Sequence, residues 1–158
     1  MEENKMNTVA KSRPVALAGQ IVRLLVIVMA LSLAACATTP IAIDQALSVP
    51  SSRILAPQLL APAQYTGSLI IKRDGGFMGS ACAIRVFVGA LPVADLAPSE
   101  KVEIYVPLGE HVVAATSVSS FCGGGVSEAA VVISPERQRI LRIASGQSGD
   151  IHLQPSAF

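Results

Sequence analysis

Apolar and polar positions alternate in short runs from residue 65 onward, and turn residues end each run. Gly67–Lys72 is the first run, closed by Asp74-Gly75-Gly76. Cys82–Val88 comes next, with Cys82, Ile84, Val86 and Val88 on one face of the pleat. Gly89 to Pro92 form a tight connection to a brief run at Val93–Leu96. In Lys101–Val106 a period of two turns Val102, Ile104 and Val106 inward and Lys101, Glu103 and Tyr105 outward. Pro107-Leu108-Gly109-Glu110 reverses the chain into His111–Val118, and Val126–Ile133, Ile140–Ser145 and Ile151–Leu153 complete the series. Strands recurring every roughly 8–12 residues between turn signals predict an all-β domain over 65–158, an antiparallel sandwich of about seven strands. No helical period is sustained in this part of the chain.

The first 64 residues follow different rules. Lys5, Lys11, Arg13 and Arg23 outweigh Glu2 and Glu3, and twelve uncharged residues then run from Leu24 to Ala35. A bilayer span needs roughly 20 apolar residues, so this run has the length of a secretory signal instead. Either Met1 or Met6 serves as the start of the segment 1–35. Leu33-Ala34-Ala35-Cys36 resembles the lipobox of bacterial lipoproteins. That resemblance implies cleavage between Ala35 and Cys36, a diacylglyceryl group on the Cys36 thiol and an acyl chain on its freed amine. Ala37, where enteric bacteria place Asp for inner-membrane retention, implies the outer membrane, facing the periplasm. Ala35-Cys36-Ala37 also fits an ordinary A-x-A cleavage site, which would release a soluble protein. Residues 36–64 carry Pro40, Pro50, Pro57 and Pro62 among Ala, Ser and Thr, and are expected to form a flexible tether.

Removing 1–35 leaves eight of the twelve basic residues and nine of the eleven acidic ones. A nearly neutral chain without Trp lacks both the charge and the stacking platform of a nucleic-acid binder. Cys82 and Cys122 are the thiols that remain beside Cys36. In an oxidising compartment such a pair forms a disulfide, here closing a loop of about 40 residues worth about 4 kcal/mol. The competing reading makes one of them a nucleophile with His111 or His152 as base, in an envelope hydrolase. No paired-His or Cys-x-x-Cys spacing supports a metal, no cofactor motif is present, and the acidic residues fall on turns and a solvated face.

The bridge would join two glycine-rich loops, 74–81 and 119–125, which carry Phe77, Met78 and Phe121. These side chains either cap the core beneath the bridge or form an apolar partner surface. The order GSLIIK, IRVFVGALPVADL, VPLGEHVV, EAAVVIS and RILRIA resembles the PEGA-type carbohydrate-associated and surface-protein modules, over about Gly67 to Ala144. The resemblance implies an immunoglobulin- or prealbumin-like sandwich. With the lipobox it implies a non-enzymatic, membrane-anchored module for an envelope protein complex, peptidoglycan or another glycan.

Overall fold

The computed structural model describes residues 38–76, 79–146 and 149–157, together with Gln20 and Arg23. The chain divides into two compact units, Met1–Ala35 and Cys36–Phe158. Of the first, only Gln20 and Arg23 are described, both helical. The rest of the expected signal segment, the expected cleavage junction Ala35–Cys36 and the expected acylation site lie outside the described residues.

The described residues of the second unit form an all-β sandwich of nine strands in two sheets. In chain order these are β1 (Leu47–Ser48), β2 (Thr66–Arg73), β3 (Ile84–Val88), β4 (Leu91–Leu96), β5 (Glu100–Pro107), β6 (Gly109–Ser117), β7 (Ser127–Ile133), β8 (Arg139–Ser145) and β9 (Ile151–Pro155). One sheet has the order β1-β5-β2-β8-β9 and the other β4-β3-β6-β7. Eight of the nine strands coincide with the alternating runs, because that alternation is what two facing sheets impose. Leu69, Ile71, Ile104, Leu141 and Ile143 of the first sheet pack against Val86, Val93, Val113 and Ile133 of the second. Gly67 lies so close to β7 that an added Cβ would stand 2.7 Å from the Ser134 carbonyl oxygen.

The expected antiparallel pairing holds for most ladders, but β1–β5 and β2–β8 are parallel. The arch 134–138 crosses from β7 at the end where β2 begins, and so delivers β8 running alongside β2 in the same sense. Lying centrally between β5 and β8, β2 is covered on both faces: Leu69, Ile70, Ile71 and Lys72 are all buried. Continuous burial of this kind is the rule for strands with a parallel neighbour in a covered sheet.

The segment 38–64 is not the free spacer expected of it. Thr39 pairs with Gly75, Ile54 bridges to Ala94, and Leu47 and Ser48 add a short parallel strand to β5. Val49 joins the core and Ala56 is fully buried. The prolines interrupt regular structure without preventing contact, since the strap docks largely through backbone groups. Leu47 N–H donates to the Ser99 carbonyl, and Leu55 N–H to that of Val93. In passing from β5 to β4 the strap covers the gap between the two sheets on that side.

At the far end of the sandwich, Gly109 has φ 121° in the turn between β5 and β6. The His111 ring Nε2 lies 2.7 Å from the Pro107 carbonyl oxygen, holding the two arms of this Pro-x-Gly-x-His turn together.

The disulfide end as candidate functional site

Strand registers place one set of loops together. The C-terminal ends of β2, β4, β6 and β8 and the N-terminal ends of β3, β5, β7 and β9 lie at the same end of the sandwich. Residues 74–76, 79–83, 97–99, 118–126, 146 and 149–150 therefore converge there. Cys82 and Cys122 are joined across this end as a disulfide, with Cα atoms 6.2 Å apart and a separation of 40 along the chain. Both thiols of the hydrolase reading are consumed in that bridge. His111 lies at the opposite end of β6, while His152 is exposed on β9, opposite Ala144.

Arg73 organises the loop beneath the bridge. Its side chain points inward from the last position of β2 and is almost wholly buried. One guanidinium nitrogen donates to the carbonyl oxygens of Cys82 at 2.6 Å and Leu96 at 2.8 Å, and the other to that of Gly79 at 2.7 Å. Burial lowers its pKa to about 10, against the opposing pull of Glu100. Glu100 itself pairs with Arg53 of the strap and accepts the Ala97 N–H at 2.8 Å. Arg53 also reaches the Asp95 carbonyl, and the Asp95 carboxylate takes both Nε and a terminal nitrogen of Arg85.

A second set of charges lies on the outer face of the first sheet. Lys101, Lys72 and Arg142 are register neighbours across β5, β2 and β8. The strap runs over them, and the carbonyls of Ile43 and Ile41 accept from Lys101 Nζ and Lys72 Nζ. Arg142 holds the Asp74 carboxylate bidentately, at 2.8 Å through Nε and 2.6 Å through a terminal nitrogen. That hydrogen-bonded carboxylate raises the Arg142 pKa, whereas burial lowers that of Lys72. Sequence reasoning missed both sets, because a Lys-Arg-Asp run at a strand end reads as solvated. The one available signal was that Lys72 and Arg73 continue a strand already apolar on both faces.

Beneath the bridge is a cavity of about 30 Å³ lined by Arg73, Gly79, Ser117, Ser145 and both cysteines. It contains the buried Ser117 hydroxyl, which has no hydrogen-bond partner. This volume is too small for an organic substrate, so what the end offers a partner is its outer surface. Phe121 lies on that surface. It belongs to a single helical turn, Ser120–Cys122, and its side chain is 99% exposed. Of the two expectations, Phe121 follows the exposed one and does not cap the core. Phe77 and Met78 lie outside the described residues. Val118 and Val126, flanking the same loop, are also exposed.

Two shallower cavities, of about 270 and 290 Å³, lie elsewhere. One borders Val131, Arg139 and Pro155, and the other borders Val49, Leu60 and Lys101. Among the described residues, no three His, Cys, Asp or Glu side chains are grouped as a metal site would require, and no helix is long and apolar enough to cross a membrane.

Neither a protein-family model nor a curated protein matches the sequence. Among solved structures, the chain is similar to the NMR structure of a protein from Eubacterium rectale. The two are 13% identical with a TM-score of 0.40, over 59% of this chain and 93% of the other.

Proposed function

We propose that this chain is an envelope lipoprotein, acylated at Cys36 and held at the periplasmic face of the outer membrane. Its sandwich would serve as a non-enzymatic binding or structural module for a protein complex, peptidoglycan or another glycan. The observation that carries the reading is the twelve-residue uncharged run that ends in Leu33-Ala34-Ala35-Cys36. The disulfide in the sandwich also supports it, since such a bond persists in oxidising compartments and is rare in the cytosol. Two or three acyl chains, at about 0.8 kcal/mol per buried methylene, anchor a domain durably.

The hydrolase reading requires a free thiol at Cys82 or Cys122, and nothing in the geometry favours it over the bridge. Expression of Cys36→Ser in a Gram-negative host tests the proposal. An uncleaved precursor without acyl chains is the expected product, and normal processing with membrane retention would contradict it.

A further inference from the structure

We infer that the disulfide end of the sandwich rests on the lipid bilayer and that Phe121 is the side chain that enters it. The inference depends on the acylation of Cys36 proposed above.

The path of the strap fixes which end faces the anchor. Ile41 lies over Lys72 and Thr39 pairs with Gly75, so the chain read backwards has passed the end of β2 by Thr39. Thr39 is only three positions from Cys36, a reach of at most about 11 Å. The headgroup layer on each side of a bilayer is roughly 5–8 Å deep. An acylated Cys36 therefore holds Thr39 within about 11 Å of the lipid surface, and with it the end of β2 where Thr39 pairs with Gly75.

What those loops present is suited to lipid. Val118, Phe121 and Val126 are exposed at 46%, 99% and 66%. The backbone of Phe121 is restrained on both sides, by the adjoining Cys82–Cys122 bridge and by its N–H, which donates to Ser119 Oγ. With that backbone restrained, only the side-chain torsions remain to be ordered when the ring enters the headgroup and acyl boundary, about 5–10 Å deep. The far end also exposes apolar residues, Tyr65 and Leu108. It is an eight-residue strand away, roughly 27 Å, and beyond reach of the bilayer when the anchored end faces it.

The protein has no Trp, so a single introduced indole reports its own surroundings. Phe121→Trp and Leu108→Trp are made in the full acylated chain and reconstituted into vesicles of phosphatidylethanolamine and phosphatidylglycerol, with and without brominated acyl chains. Mass spectrometry of the same preparation reads the state of Cys36. The expected result is blue-shifted emission at position 121, quenched severalfold more by brominated lipid than emission at 108. Acylated protein with equal quenching at the two positions overturns the inference and leaves the lipoprotein reading intact. Protection from acrylamide at 121 without lipid quenching also overturns it, and would place a second copy of the chain over this end. Unacylated Cys36 removes both readings together.

Discussion

Arg73 and Cys82 meet through a backbone contact: the guanidinium donates to the Cys82 carbonyl at 2.6 Å, directly behind the sulfur that bridges to Cys122. The same cation gathers the carbonyls of Gly79 and Leu96, so one side chain from β2 shapes the loop that presents the disulfide. Buried carbonyl groups that lose a charged donor each cost about 1–3 kcal/mol, partly offset here by the removal of a desolvated cation. Arg73→Met is therefore expected to lower stability by about 2 kcal/mol, read from urea unfolding. Amide exchange should also quicken between Gly79 and Ile84. Unchanged exchange there would dissociate Arg73 from the loop.

The bridge itself should contribute more. Closing about 40 residues removes roughly 4 kcal/mol of chain entropy from the unfolded state. A Cys82→Ser/Cys122→Ser variant is expected to lose about 3–4 kcal/mol under oxidising conditions. Under strong reductant the wild type should fall to the level of the variant. Calorimetry with and without reductant makes the comparison, and a wild type indifferent to reductant would contradict the assignment.

Asp74 is buried with both oxygens engaged by Arg142. Neutralising it leaves a guanidinium on the covered side of the sheet without its counter-charge. Removing one member of a buried pair costs about 3–5 kcal/mol. Asp74→Asn is expected near the lower figure, because the amide keeps one acceptor; a loss below about 1 kcal/mol would show that water already screens the pair.

Lys72 provides a pH-dependent test of the strap. Burial holds its pKa below the ordinary 10.5, with Asp74 opposing that shift and Arg142 adding to it. Between the lowered value and 10.5 the unfolded chain binds more protons at this position than the folded one. Its contribution to stability therefore rises with pH through that window. Lys72→Met lacks this contribution, so the stability difference should move in favour of wild type as the pH rises towards 10.5. Paired denaturant melts measure it, and a difference that stays flat would mean that the strap leaves Lys72 open to solvent.

The strands were legible because each half-buried run repeats every two residues; Val102, Ile104 and Val106 fall inward as their alternation requires. The cysteine pair was legible too, since only Cys82 and Cys122 remain once Cys36 is set aside. What escaped was carried by backbone atoms or by register. The strap binds through the carbonyls of Ile41 and Ile43 and the N–H of Leu47, and these groups leave no side-chain pattern. The parallel alignment of β2 with β8 depends on where the arch 134–138 crosses, and residue type does not record that. The outward position of Phe121 follows from a disulfide-bound single turn, which a Gly-rich run did not specify.

Anchoring at Cys36 is the claim that orients the rest, and intact mass analysis of the N-terminal fragment from the native envelope tests it most directly. The account predicts a chain that begins at Cys36 and carries a diacylglyceryl thioether with an N-acyl group. A fragment that begins upstream of Cys36, or one with its thiol and amine free, would contradict it.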